Sequence, residues 1–128
     1  MATIELTAEN FEATLIENDM VVIDFWAEWC GPCKTFGPTF EKVSGNHEGI
    51  VFAKCNTESQ QEIAAQFGIQ SIPTLAIMRD SVLLFSQPGS LPENALEEIV
   101  THAKDLNMAD VHAQIAEKQT KQPVANDD

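Results

Sequence analysis

Two cysteines stand two residues apart in Cys30-Gly31-Pro32-Cys33, at the end of the apolar run Val21-Val22-Ile23-Asp24-Phe25-Trp26. A pair at this spacing can form half of a metal site, close a small disulfide, or exchange electrons with another disulfide. A structural zinc site needs four ligands. The remaining candidates, Cys55, His47, His102 and His112, include no second pair at ligand spacing, so no metal site is expected. A purely structural bridge would close a loop of four residues and restrain the unfolded chain little. Redox exchange fits better. The apolar run ends where a helical repeat begins, so Cys30 falls at a helix N-terminus, where unpaired N–H groups and the helix dipole stabilise a thiolate. Cys33, one turn further, is expected to be the less exposed of the two. This predicts that Cys30 attacks a partner disulfide and that Cys33 resolves the mixed disulfide. No histidine or lysine separates them to stabilise the thiolate further, which favours a reductant over an oxidant.

The surrounding elements alternate between strand and helix patterns. Thr3 to Leu6 reads as a short strand. Residues 8 to 18, behind Thr7 as N-cap, read as a helix with Phe11, Leu15 and Ile16 on its apolar face. Val21 to Ala27 and Ile50 to Cys55 are apolar on both faces, as central strands are. Phe36, Phe40 and Val43 define the helix after the cysteines, with Pro38 inside it and Ser44-Gly45-Asn46 ending it. Ser59 to Glu62 and Ser90 to Glu93 have capping-box spacing ahead of two more helices, the first ending at Gly68. Thr74 to Met78 and Val82 to Ser86 are joined by only Arg79-Asp80-Ser81, which demands an antiparallel hairpin. Past Asn107 the apolar stripe thins to Met108, Val111 and Ile115, and Lys118 to Asp128 reads as a disordered polar tail. The order β-α-β-α-β-α-β-β-α belongs to an α/β protein: a mixed sheet with helices on both faces.

A chain of 128 residues suggests one domain able to bury a real core. With 20 acidic and 7 basic side chains its formal charge is −13. That charge repels phosphate backbones and anionic headgroups, so neither nucleic acid nor a membrane surface is an expected partner. No apolar stretch approaches the length needed to span a bilayer, and the N-terminus does not read as a signal peptide. A cytoplasmic location is expected, where close cysteine pairs lean towards metal or redox work.

The stretch VVIDFWAEWCGPCK resembles the active-site signature of the thioredoxin family, including its Trp-Cys-Gly-Pro-Cys core, and the resemblance covers residues 1 to 106. It implies a thioredoxin fold, a three-layer sandwich with a mixed sheet of about five strands and about four helices, followed by a short helix and tail over residues 107 to 128. It also implies a Cys30–Cys33 disulfide in the oxidised form, tuned by Gly31 and Pro32. Ser71-Ile72-Pro73-Thr74 is similar to the family's cis-proline segment. There the proline, here Pro73, faces the dithiol, and the residue before it, here Ile72, pairs its backbone with substrate. Gly89 matches a glycine bordering the same groove, and Trp29 would partly cover the dithiol. Asp24 would lie behind Cys33 with Lys54 of the next strand near it. Two readings of Asp24 follow: a proton acceptor for Cys33, or a simple ion pair with Lys54 inside the sheet. Cys55 is expected to be a buried, inert thiol, and the three histidines to sit in loops or on solvated faces. The resemblance implies a monomeric protein-disulfide reductase without bound cofactor. Such a protein is recycled by a flavin-dependent, NADPH-using thioredoxin reductase and passes electrons to oxidised protein substrates. The alternative is a binding module or co-chaperone that uses the groove without turnover.

Overall fold

The computed structural model describes residues 3–121. Five strands, β1 (Thr3–Glu5), β2 (Met20–Trp26), β3 (Val51–Asn56), β4 (Thr74–Arg79) and β5 (Val82–Pro88), form one sheet in the order β1-β3-β2-β4-β5. β3 runs parallel to both β1 and β2, while β4 is antiparallel to β2 and β5 to β4. The helices are α1 (Phe11–Glu17), α2 (Gly31–Ser44), α3 (Gln61–Gln66), α4 (Glu93–Asp105) and α5 (Met108–Lys121). The unbroken apolar run of β2 is explained by its central place. Val21, Ile23 and Phe25 join Leu6, Ala53, Cys55, Ile63 and Ala76 in the core on the α1/α3 side, with Phe11, Leu15 and Phe67 packed on it. Met20 and Val22 join Phe36, Phe40, Val43, Phe52, Leu75, Leu96 and Val100 on the α2/α4 side. By the same alternation Asp24, Trp26 and Lys54 belong to the α2 side.

Helix starts differ from expectation. α1 begins at Phe11 rather than residue 8, and Thr7 does not cap it. Asn10 holds the preceding turn instead, its Oδ1 accepting from Thr7 N at 2.8 Å and its Nδ2 donating to the Glu5 carbonyl at 2.8 Å. Ile16, expected on the apolar face, is 71 % exposed. Neither proposed capping box forms: α3 starts after Gln60 and α4 after Pro92, and no side chain caps either. Asn56 supplies the turn before α3, its Oδ1 accepting from the N–H groups of Glu58 (2.8 Å) and Ser59 (3.3 Å). The expected end of α3 does hold. Gly68, at φ 64°, donates to the Ala65 carbonyl and Ile69 to that of Ala64, both at 3.0 Å, a paired closure that favours glycine at the left-handed position. The hairpin turns on two residues, Asp80 and Ser81, both at positive φ, as a twist-matched two-residue connection requires.

α5 is longer than the sequence suggested. It runs through Lys121, so residues 118 to 121 of the expected tail are helical, and residues 122–128 of that tail lie outside the described residues. Asn107 caps it, accepting from Asp110 N at 3.1 Å. The end of α4 is closed from the sheet: Arg79 Nη1 lies 3.0, 2.9 and 2.7 Å from the carbonyls of Ala103, Lys104 and Leu106. A cation there also meets the negative end of the helix dipole. Arg79→Ala is expected to cost roughly 2 kcal/mol, read as a lower urea midpoint at unchanged slope. No helix among the described residues is long and apolar enough to cross a membrane.

Candidate active site

The site gathers at the end of the sheet where β2 ends and β4 begins. Because these strands are antiparallel with Phe25 beside Thr74, the loop leaving β2 and the residues entering β4 share one edge of the molecule. β2 delivers the chain to Cys30, the N-cap of α2. Gly31 and Pro32 form the exposed first turn, where the missing proline N–H costs nothing. Cys30 and Cys33 form a disulfide with Cα atoms 5.3 Å apart. The Cys30 sulfur takes the place of a capping side chain, accepting from the Cys33 backbone N–H at 3.1 Å. A negative sulfur at this position gains from that bond and from the helix dipole. The expectation that Cys33 is the more buried fails in this oxidised state: Cys30 is 3 % exposed and Cys33 5 %.

On the α2 side of the sheet, Asp24 is fully buried, and neither of its carboxylate oxygens has a hydrogen-bond partner among the described residues. Burial pushes its carboxyl up to about 7, with the Lys54 ammonium pulling the other way. Lys54 is the ladder neighbour of Asp24 on β3, and its Nζ sits 5.2 Å from the centre of the Trp26 ring. A cleft of about 490 Å³ opens between α2 and β3, lined by Trp26, Cys33, Gly37, Glu41 and Lys54 among others. The sheet thus carries a carboxyl that changes charge near neutrality, on the α2 side, beside a cleft that reaches Cys33.

On the other flank, the Ile72–Pro73 bond is cis and Gly89, at φ 111°, donates its N–H to the Pro73 carbonyl at 2.8 Å. Trp29 and Ile72 line one groove of about 620 Å³, floored by Ala64, Ala65 and Ile69. Trp29 is 68 % exposed, while Trp26 is half-buried. Glu58 was not singled out in the sequence. Its Oε2 accepts from Trp29 Nε1 at 2.7 Å and fixes the indole at the groove's edge. Nothing in the local pattern marks it, because the contact crosses two loops.

Cys55 is fully buried in the α1/α3 core, and burial, with Asp24 adding to it, pushes its thiol up to about 12. His47 sits in the loop after α2, one of the expected settings, yet is only 9 % exposed: it stacks on Phe52 and meets Glu97 Oε1 at 2.8 Å, while Asn46 donates to the other oxygen of Glu97. These bonds hold Glu97 below the usual carboxylate range. His102 and His112 are exposed, as expected. No cluster of three or more histidine, cysteine or acidic groups suited to a metal ion occurs among the described residues.

Comparison with known proteins places the geometry in context. The family model described as Thioredoxin matches residues 2–102. A relative from Streptomyces coelicolor, named among the thioredoxins, is 52 % identical over 120 residues, covering 94 % of this chain and 90 % of its own. That span necessarily takes in most of α5. Thioredoxin 2 of Chlorobaculum tepidum is 40 % identical over 94 residues, covering 72 % of this chain and 86 % of its own. Among solved structures, a mutant thioredoxin from Halobacterium salinarum has a TM-score of 0.75 at 25 % identity, covering 84 % of this chain and 98 % of that one. The thioredoxin of Plasmodium falciparum follows at 0.73 and 28 %, covering 79 % and 98 %.

Proposed function

This chain belongs to the thioredoxin family and is a thiol–disulfide oxidoreductase acting as a protein-disulfide reductase, and we propose that its two cysteines and Asp24 divide the work as follows. The Cys30 thiolate attacks one sulfur of a partner's disulfide, and the partner's other sulfur leaves as a thiolate. Asp24 takes the proton of Cys33, whose thiolate attacks the Cys30 sulfur of the mixed disulfide. The partner's second thiolate departs, and Cys30–Cys33 remains as the disulfide. Two electrons have passed to the partner, whose sulfurs collect two protons. Lys54 balances the charge of Asp24 while it is ionised. Gly31 and Pro32 set the tightness of the turn, and Trp29, Ile72, Pro73 and Gly89 form the groove that receives the partner's backbone.

The observation that carries this reading is the Cys30 sulfur held at a helix N-terminus by the Cys33 N–H, with an unpartnered buried carboxyl on the face of the sheet that α2 covers. The electrons come from a flavin-dependent, NADPH-using thioredoxin reductase and go to oxidised proteins such as reductive enzymes that end each cycle with an active-site disulfide. The dithiol is the redox centre and needs no bound cofactor. The working unit is a monomeric domain of residues 1 to 106, in the cytoplasm, and residues 107 to 128 are an extension to it. Cys33→Ser supplies the test. It is expected to accumulate a covalent adduct through Cys30 with a disulfide-linked protein, released by a small dithiol and visible on a non-reducing gel. An adduct through Cys33 in Cys30→Ser, and none in Cys33→Ser, would reverse the assignment.

A further inference from the structure

Lys54 has more than one acidic neighbour. On β3 it lies in ladder register with Asp24 on one side and Glu5 of β1 on the other. It also touches α2 at an open spot: a Cβ added to Gly37 would stand 3.4 Å from Lys54 Nζ, so the helix presents bare backbone to the ammonium there. Glu41 is four residues along from Gly37, on the same helical face. Glu41 and Lys54 line one cleft together with Cys33. The Glu41 carboxylate is anchored over the β1/β3 edge, its Oε1 accepting from Thr3 Oγ1 at 3.2 Å, and Thr3 is paired with Phe52, two residues before Lys54.

We propose that Glu41 is a positioning residue that competes with Asp24 for the Lys54 ammonium. Lys54 pairs with Asp24 while that carboxylate is charged and turns to Glu41 once Asp24 has accepted a proton. Its four-carbon stem permits the swing without backbone motion. No proton moves in this exchange; the ammonium only changes partner. Its effect is to lower the cost of the neutral Asp24 state, because the half-buried cation keeps a carboxylate partner. Of the other charged groups facing Lys54, Glu5 is exposed on the strand edge, and Glu28 and Lys34 are exposed at the cleft mouth. Glu41 is half-buried, where its field is screened least.

The importance of this exchange for turnover rests on Asp24 being the proton acceptor, but the test does not. It follows the Asp24 carboxyl carbon by NMR against pH in the oxidised protein, where Cys30 and Cys33 do not titrate. Glu41→Gln frees Lys54 for Asp24, so the Asp24 midpoint is expected to fall from about 7 by roughly half a pH unit. In a Lys54→Met background the midpoint starts higher, and Glu41→Gln is expected to move it by less than about a third as much. Glu5→Gln and Glu28→Gln are expected to move it less than half as far as Glu41→Gln. An unmoved midpoint, an equal shift with and without Lys54, or a larger shift from Glu5→Gln overturns the proposal. A failure of the proton-acceptor reading would show separately, as an Asp24→Asn protein that turns over at the parent's rate.

Discussion

Cys30→Ser is expected to abolish disulfide reduction, lowering turnover of a disulfide-linked protein by more than about a thousandfold with a small dithiol as reductant. A serine hydroxyl stays protonated under conditions where a thiolate at a helix N-terminus exists, and it cannot form the mixed disulfide. The variant should keep its fold, because oxygen in place of sulfur still caps α2 at the Cys33 N–H. Unfolding midpoints compared in the reduced state separate the two effects. Equal turnover by parent and variant would mean that the groove of Trp29 and Ile72 acts by binding alone, as in an adaptor or co-chaperone.

Asp24→Asn is expected to make the protein more stable and less active at once. In the folded chain the carboxyl titrates at about 7 against an ordinary value of 3.8. Between those values the native state holds a proton that the unfolded state has lost. Stability therefore falls as pH rises through that window, and the full penalty, roughly 4 kcal/mol, is present above it. Asparagine carries no charge and escapes the penalty, less the cost of burying its own amide. The gain should be roughly 3 kcal/mol at about pH 8 and disappear by about pH 4, measured as urea midpoints across pH. A pH-independent difference would mean that desolvation of Asp24 is not its source. If Asp24 is the proton acceptor for Cys33, the same change should also slow the resolving step roughly tenfold near neutrality. That loss should shrink as rising pH ionises the thiol unaided. A residue that weakens the fold in its working charge state is easier to explain by chemistry than by structure, which favours the acceptor reading over a simple ion pair.

Much of this was legible in the residues. Apolar runs at Val21 to Ala27 and Ile50 to Cys55 had the pattern of strands covered on both faces, and the three-residue interval before Val82 demanded the hairpin. Cys30, Cys33 and Asp24 were visible because their types conflict with, or interrupt, the pattern around them, while Lys54 came only from the family resemblance. Helix starts were not legible at Thr7, Ser59 and Ser90, since short polar side chains serve turns as readily as caps. Here Asn10 and Asn56 took the turn roles. Contacts that cross the fold left no local trace: Glu58 against Trp29, Arg79 against the end of α4, and Thr3 against Glu41. The similar exposure of the two cysteines was also hidden, because position along a helix does not by itself set burial.

Cys55 bears on the fidelity of exchange. A third sulfur near a mixed disulfide could divert it, leaving the partner bound or wrongly cross-linked. This one lies on the opposite face of the sheet from α2, sealed in the core and held in its protonated form. On the proposed division of labour, that leaves a captured protein a single way out, through the sulfur next in line.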